Sequence, residues 1–144
     1  MAATVLRTNL VSLLWLVCGF LVTACDRANP VGPTVPLDQQ FIARPGQPAT
    51  IAGTAVRVQF VEVTSDSRCA INAICFTAGD ASIAILVEDD QGSGRYELHT
   101  GDPSRKSAAH RDLRIELMEL EPYPNTNRRT DPSEYRATLR ASRK

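Results

Sequence analysis

The residues best suited to chemistry are two cysteines, Cys69 and Cys75, in the stretch DSRCAINAICFTAGDA over residues 66–81. In an oxidising compartment outside the cytoplasm, an even pair of cysteines first suggests a disulfide. A zinc site would need two more nitrogen or sulfur ligands, and the spacing of the only histidines, His99 and His110, matches neither a finger nor a ribbon. A redox pair would have two residues between its cysteines and a helix N-terminus beside them. The sequence therefore predicts a disulfide that staples this loop, with no metal and no cofactor.

A cluster of carboxylates in EDDQGSG, residues 88–94, is a second candidate for chemistry. It precedes glycines, as a calcium loop does, but the alternating aspartates and the distal glutamate of such a loop are absent. Ser93 in the same stretch lacks the G-x-S-x-G context of a hydrolase nucleophile. The chain contains no phosphate-binding loop and no dinucleotide fingerprint. We therefore expect residues 88–94 to form a solvated hairpin tip.

Asp66, Asp80 and His99 would form a catalytic or metal-binding group only if the fold brought them together. Their convergence in one concave pocket would favour a metal-dependent or hydrolytic enzyme, which stays open as an alternative function. His99, however, alternates with Arg95 and Glu97, so we expect it on the outer surface of a strand. The main expectation is therefore a protein without catalytic activity.

Asp66, Ser67 and Arg68 directly precede the first cysteine of the loop, and we predict that they contact a binding partner. The rigid guanidinium fork of Arg68 suits a carboxylate on a partner, and a constrained loop binds with little loss of entropy. An inhibitor-like module that presents Arg68 to a protease is a further alternative. The competing interpretation is an ion pair within the chain, between Arg68 and either Asp66 or Asp80.

Three large apolar side chains, Ile71, Ile74 and Phe76, lie within or just after the predicted disulfide ring. Removing apolar surface from water is favourable. We therefore predict that these residues fold back onto the edge of a sheet as a lid over the core. Asp66 is expected to cap the turn at the start of the loop.

The beginning of the chain is typical of an export signal. Arg7 precedes the apolar run LVSLLWLVCGFLV, residues 10–22, which is shorter than the roughly 20 residues of a membrane-spanning helix. The run ends in VTAC, which resembles the lipobox of bacterial lipoproteins, in which the cysteine, here Cys25, becomes the first residue and is acylated, for example with palmitate. The resemblance implies a signal peptide over residues 1–24. A plain secretory signal with a chance cysteine and a retained anchor helix are the alternatives.

Lipidation at Cys25 would also assign the other cysteines and the location. Cys18 would leave with the signal peptide, so the exported domain would keep only the pair in the loop. Several acyl chains exceed the single chain that gives only marginal attachment, so the anchoring would be firm. We therefore expect a protein of the bacterial cell envelope that is attached to the membrane through Cys25 and faces the periplasm or the exterior. Its further partner, an envelope protein or a ligand, is not specified by the sequence.

The balance of charge disfavours one class of partner. Arg7 is the only charged residue of the predicted signal peptide, so residues 25–144 contain 15 basic and 16 acidic residues, a net charge of −1. Proteins that bind nucleic acid contact its phosphates through an excess of Lys and Arg. We therefore expect no nucleic-acid partner.

A change of pattern near residue 40 divides the exported chain. Residues 25–39 contain three prolines and one glycine without periodicity and are predicted to be a flexible tether. Short strands are predicted in QFIAR and ATIAG, around a PGQP turn. In TAVRVQFVEV, residues 54–63, the alternation shifts phase near Phe60, which predicts a β-bulge.

The remaining sequence continues the β pattern. Residues 80–100 alternate on both sides of DQGSG and predict a hairpin. A polar connection, residues 101–112, leads to residues 113–124, whose alternation favours a strand with a bulge near Met118, although a short helix is an alternative. The segment EYRATLRAS, residues 134–142, predicts the last strand.

About seven short strands without a convincing helix predict an all-β fold. Evenly spaced short strands with turn residues between them are typical of an antiparallel β-sandwich, immunoglobulin-like or similar. We therefore predict one such domain over residues 40–144, a length that is sufficient for a two-layer core.

The residues around the cysteines also resemble a group of uncharacterised bacterial lipoproteins and secreted proteins. The similarity covers roughly residues 40–140, and the chain keeps the motif positions Asp66, Ser67, Arg68, Cys69, Cys75, Ala78 and Gly79. It departs from the pattern at Ala70, where the group has proline, and at Phe76-Thr77, where the group has an aromatic pair. The resemblance implies an exported protein but no particular activity.

Overall fold

The computed structural model describes residues 32–144, and the predicted signal peptide, Cys25 and the first part of the tether lie outside them. The described part contains nine strands and one short 3-10 helix. They are β1 (Thr34–Val35), β2 (Gln40–Ala43), β3 (Pro48–Ile51), β4 (Arg57–Asp66), β5 (Ala81–Asp89), β6 (Gly92–His99), β7 (Ser107–His110), β8 (Leu113–Glu121), the 3-10 helix Pro132–Glu134 and β9 (Arg136–Arg143). Within these residues, no helix is long and apolar enough to cross a membrane.

The strands form two sheets that pack against each other. The five-stranded sheet has the order β1-β3-β4-β5-β6, and the four-stranded sheet has the order β2-β9-β8-β7. Every pair is antiparallel except β1 and β3, which run parallel. The prediction of an all-β antiparallel sandwich is therefore confirmed.

A single apolar core lies between the sheets and is built from alternate residues of the strands. Its largest fully buried side chains are Phe60, Ile51, Ile83, Ile85, Leu98, Leu113, Ile115, Leu117, Leu120, Leu139, Val58 and Val87. Burying one such side chain is worth about 1.5–3 kcal/mol. The core therefore provides the main driving force that brings the two sheets together.

Irregularities occur where the sequence pattern shifts phase. The register between β4 and β5 shifts between Phe60 and Glu62, and that between β8 and β9 shifts between Leu117 and Glu119. Both bulges were expected from the change of alternation, near Phe60 and near Met118, and both are confirmed. The hairpin of β5 and β6 is confirmed as well, and residues 113–121 form a strand as predicted.

Two strands were not predicted. Thr34 and Val35 pair with Thr50 and Ile51 of β3, so the fold begins before residue 40, within the segment predicted to be a tether. The second is β7, within the predicted polar connection 101–112, which pairs with β8. Both strands are short and depend on pairing with distant residues, which the local pattern does not reveal.

Two connections lie together at one end of the sandwich, which we call the loop end. The cysteine loop, residues 67–80, joins β4 to β5, and the 122–135 connection joins β8 to β9. The backbone N–H of Ile71 donates to the carbonyl oxygen of Pro124 at 3.0 Å, which ties the two together. The tip of the β5–β6 hairpin, around Gln91, lies at the opposite end because β5 runs away from the loop end.

Candidate binding site at the cysteine loop

The predicted disulfide between Cys69 and Cys75 is present, with a Cα–Cα distance of 5.9 Å, inside the usual range for disulfides. Between the disulfide and the ends of the two strands, the loop continues the pairing of β4 with β5. The N–H of Ser67 donates to the carbonyl of Asp80 at 2.7 Å, and the N–H of Cys69 donates to that of Ala78 at 2.8 Å. Closing a ring of this size removes unfolded-state entropy worth about 2.4 kcal/mol. The disulfide therefore restricts the outer part of a loop whose base is already fixed.

Arg68 is buried, with an exposed fraction of 7%, and its guanidinium points into the protein. Its Nε and Nη2 donate to the two carboxylate oxygens of Asp66 at 2.9 and 2.7 Å, a bidentate pair. Nη1 donates to the carbonyl oxygen of Leu120, and Nη2 also donates to that of Pro122 at 2.9 Å. The ring of Tyr123 lies 4.4 Å from the guanidinium carbon and covers it. Arg68 therefore joins the end of β4 to the end of β8, and hence one sheet to the other.

This position decides between the two interpretations of Arg68. The side chain forms the ion pair with Asp66 that was the competing interpretation, and the buried fork is not available to a carboxylate on a partner. An inhibitor-like module would need an exposed Arg68, so that alternative finds no support in the position of this residue. Asp66 and Arg68 therefore hold the loop in place.

The environment of the pair keeps it charged and hydrogen-bonded. Burial disfavours the cationic form of Arg68, but the hydrogen bond and charge of Asp66 outweigh burial, and the pKa of Arg68 is raised. The hydroxyl of Tyr135 donates to Asp66 at 3.1 Å, and burial, followed by the charge of Asp66, raises the pKa of Tyr135. The backbone N–H of Arg68 also donates to Asp66, at 3.2 Å, which confirms the predicted cap. A buried ion pair is costly unless its remaining hydrogen-bonding groups are satisfied, and these contacts satisfy them.

Ser67 and Gly79 fix the base of the loop from its two sides. The hydroxyl of Ser67 donates to the carbonyl of Asp80 at 2.9 Å and accepts from its N–H at 3.3 Å. Gly79 has a φ of +72°, and a Cβ there would lie 2.0 Å from the carbonyl oxygen of Ser67. Only glycine fits this position without displacing the backbone opposite.

His99 is buried, with an exposed fraction of 6%, so the prediction of a surface histidine was wrong. Its Nδ1 lies 2.6 Å from a carboxylate oxygen of Asp80, and its Nε2 lies 2.9 Å from one of Glu97. The alternation predicted the correct face of β6 for His99. After β6 the chain turns back beside this residue, and the backbone N–H of His99 donates to the carbonyl oxygen of Arg105 at 3.0 Å. This covering by a later segment is a tertiary effect that the alternation cannot show.

The enzyme alternative needed Asp66, Asp80 and His99 in one pocket, and they belong to two separate groups. Asp66 is bound by Arg68, whereas Asp80 is bound by His99. Both ring nitrogens of His99 already have carboxylate partners. Within residues 32–144, no three side chains of His, Cys, Asp or Glu are arranged to hold a metal ion. The fold therefore does not assemble the site that this alternative requires.

The charge state of Asp80 fits a structural role. Desolvation opposes its ionisation, but hydrogen bonds from His99, from the N–H of Gly101 and from Thr100 outweigh it and lower the pKa of Asp80 to about 2. A general acid or base working near neutral pH needs a pKa close to that pH. Asp80 instead stays ionised and holds the turn after β6.

Comparisons of the chain with family models, with curated proteins and with solved structures find no match. The resemblance to uncharacterised lipoproteins therefore stays a prediction. Inferences about function consequently rest on the geometry of the site and on the sequence itself.

The prediction that Ile71, Ile74 and Phe76 form a lid over the core was wrong. Their exposed fractions are 70%, 104% and 109%. The loop is tied outward to the 122–135 connection instead of inward to the sheet edge, since Asn72 donates to the hydroxyl of Thr126 at 2.6 Å and accepts from its N–H at 3.0 Å. These three residues, the apolar tip, therefore project from the loop end into solvent.

A groove of about 1000 Å³ lies beside the loop, between the end of β4 and the 122–135 connection. Val61 and Val63 contribute its apolar wall, and Arg128 and Arg129 lie on the opposite side. Arg128 is paired with Glu134 at 2.7 Å. Sequence reasoning missed both the groove and the exposed tip. One signal of the tip was available, because residues 69–79 contain no charged side chain.

Proposed function

We propose that the protein is a lipid-anchored component of the bacterial cell envelope that works by binding and not by catalysis, with the cysteine loop as its contact surface. The observation that supports this most is the full exposure of Ile74 and Phe76 on a loop whose base is held in place. Exposed apolar clusters on soluble surfaces typically mark interaction sites. A disulfide, a buried ion pair and hydrogen bonds hold this cluster in position, so binding costs little further ordering.

The anchor is proposed at Cys25, after removal of a signal peptide over residues 1–24. The VTAC sequence before the fold supports lipidation, and only eight residues separate Cys25 from the first strand at Thr34, so an anchored domain would lie close to the bilayer. The domain would then face the periplasm or the exterior. The net charge of −1 over residues 25–144 supports partners other than nucleic acid.

The anchor is tested by the intact mass of the protein extracted from membranes, before and after reduction and thiol alkylation. We expect a chain that begins at Cys25, carries acyl groups and shows two thiols only after reduction. A chain that begins elsewhere without acyl groups would overturn the lipoprotein proposal.

The contact surface is tested by photo-crosslinking in living cells. A photoreactive phenylalanine analogue replaces Phe76 in one strain and Gln91, exposed at the opposite end of the sandwich, in a matched control strain. We expect adducts from position 76 and few from position 91. Equal or absent adducts at the two positions would show that the cysteine loop is not the contact surface.

A further inference from the structure

The apolar tip differs from ordinary surface residues in being both uncharged and protruding. Ile74 and Phe76 are fully exposed, and the surrounding residues 69–79 contain no charged side chain. Apolar side chains scattered singly on a surface are normal, whereas a contiguous group at the end of a stiff loop is not. The question is which partner such a tip fits.

The direction of β1 relates the tip to the N-terminal side of the chain. β4 runs toward the cysteine loop, β3 is antiparallel to β4, and β1 is parallel to β3. β1 therefore runs away from the loop end, and the residues before it approach from the loop end. Gly32 and Pro33, the first described residues, consequently lie on the loop-end side of β1.

The distance from the start of the fold to the loop end is short. Gly32 lies against the carbonyl of Pro48. Pro48 pairs with Gln59 of β4, and Gln59 pairs with Leu86 of β5, so Gly32 and Leu86 lie at the same height along the strands. From Leu86 to Ala81, where the cysteine loop ends, β5 spans five residues, which is about 17 Å. The seven residues from Cys25 to Gly32 can span at most about 25 Å. The cysteine loop continues beyond Ala81 through the pairing of Cys69 with Ala78, which adds about 10 Å. A fully extended tether would therefore bring Cys25 close to the level of Ala78, and its acyl chains would extend beyond that level.

The surroundings of the tip suit the interface of a bilayer. Ile71 borders a shallow depression that it shares with Tyr123, Arg128 and Arg136, and with Glu121 and Glu134, the second of which pairs with Arg128. Tyr123 has an exposed fraction of 46%, and Arg129 is exposed nearby. Aromatic residues and arginines are enriched at the headgroup level of membranes, around apolar residues that reach the acyl chains. A rim of this kind around Ile74 and Phe76 fits a lipid surface.

The size of the tip argues against a protein partner. A stable protein interface usually buries about 800 Å² on each side and includes 20–30 residues per partner. The tip offers three apolar side chains on one loop. A few apolar side chains suffice, by contrast, for a second contact when an anchor already holds the domain at the bilayer.

We infer that the apolar tip inserts into the headgroup and upper acyl region of the phospholipid bilayer that holds the anchor, and so fixes the orientation of the domain. This inference rests on the proposed lipid anchor at Cys25. The domain would thus contact the membrane at two points, the acyl chains and the Ile74–Phe76 side chains. The opposite end, with the β5–β6 hairpin, would face away from the membrane.

The chain offers a clean spectroscopic test because its single tryptophan, Trp15, lies in the predicted signal peptide. The acylated protein with Phe76→Trp is reconstituted into vesicles of phosphatidylethanolamine and phosphatidylglycerol, with or without bromine on the acyl chains. The matched control has Gln91→Trp at the far end of the sandwich. Free-thiol titration confirms in both variants that the disulfide has formed.

We expect the tryptophan at position 76 to emit at shorter wavelength and to lose intensity in the brominated vesicles, while the tryptophan at position 91 keeps its intensity. Equal quenching at both positions, or none at position 76, overturns the inference. A photo-crosslinked adduct of position 76 with a protein and not with lipid also overturns it.

The test separates failure of the inference from failure of the proposed anchor. Intact mass reports the acyl chains irrespective of the loop. If the mass shows no acyl group, the same protein is titrated with a large excess of the vesicles, because insertion of the tip by itself is weak and is detected by the tryptophan at position 76 only at high lipid concentration. If the protein is acylated but the tryptophan at position 76 is not quenched, the proposed anchor is supported and the inference that the tip inserts is wrong.

Discussion

The guanidinium of Arg68 donates to carbonyl oxygens that lie 52 and 54 residues further along the chain, and to a carboxylate two residues before it. These contacts explain why arginine, and not lysine, stands at this position. A lysine would offer a point charge to Asp66 but could not also reach two carbonyl groups in fixed directions. The residues that the sequence analysis selected for binding are therefore those that shape the loop.

Replacing Arg68 should destabilise the fold strongly. Arg68→Met leaves the buried carboxylate of Asp66 without its cation, and breaking a buried pair from one side typically costs about 3–5 kcal/mol. Urea unfolding of the variant measures the loss. The control is Arg95→Met, whose exposed pair with Glu62 at 2.6 Å should contribute about 0.2–1 kcal/mol. Similar losses in the two variants would contradict the structural role of Arg68.

Gly79 allows a second prediction at this scale, because Gly53 provides a matched control. Both have a positive φ, +72° and +71°, but a Cβ at Gly53 would meet nothing within 4 Å, whereas one at Gly79 would lie 2.0 Å from the backbone of Ser67. Gly53→Ala should lose about 1–2 kcal/mol from backbone strain alone. Gly79→Ala should lower the free energy of unfolding clearly more in the same urea titration. Equal losses in the two variants would show that the backbone at the base of the loop shifts to accommodate the added Cβ.

At the level of the elements, the strands with strong alternation were predictable and the short ones were not. The first half of β4 buries every second residue, and the phase shift at Phe60 predicted the bulge. In β5 the apolar residues Ile83, Ile85 and Val87 follow the expected alternation onto the core. The four residues of β7 have no such pattern, and the strand exists because β8 offers an edge to pair with. The exposure of Phe76 and the burial of His99 also depend on contacts with distant segments, so local pattern gave the wrong answer for both.

The disulfide should contribute a moderate part of the stability of the cysteine loop. Replacing both Cys69 and Cys75 by serine should lower the free energy of unfolding by about 2.4 kcal/mol, since the ring no longer restricts the unfolded chain. The fold should persist, because Arg68 and the pairing of Ser67 with Asp80 hold the base of the loop. Urea unfolding measures the loss, and dithiothreitol should have no effect on the variant. An unchanged midpoint would show that the loop is equally restricted without the bond.

Asp80, which holds the turn after β6, should make the free energy of unfolding depend on pH in the acid range. The pKa of Asp80 is about 2 in the folded state and near 3.8 in the unfolded chain. A lowered pKa stabilises the fold above the unfolded value, so this contribution is complete above about pH 4 and is lost as the pH falls through 2. Between pH 5 and pH 2, the midpoint temperature of thermal unfolding should therefore fall more steeply for the wild type than for Asp80→Asn. Asp112→Asn, which alters an exposed pair with Arg143, is the control and should keep the wild-type slope.

For the whole molecule, the two proposed membrane contacts differ in strength, and this makes their roles separable. Burial of each CH₂ group of an acyl chain is worth about 0.8 kcal/mol, so two or three long chains anchor a protein stably. Full burial of Ile74 and Phe76 would add about 1.5–3 kcal/mol each. The acyl chains therefore determine whether the protein is attached, and the tip determines which way the domain faces.

The last prediction follows from this difference. Cys25→Ser should move the protein from the membrane fraction to the soluble fraction of lysed cells, because the tip alone cannot hold it. Phe76→Glu should leave the protein in the membrane fraction, because the acyl chains remain, but should expose the loop end to an added protease or to a surface-labelling reagent. The Gln91→Glu control should change neither the fractionation nor the labelling. A Cys25→Ser protein that still sediments with membranes would mean that attachment does not depend on the lipid, and unchanged labelling of Phe76→Glu would mean that the tip does not orient the domain.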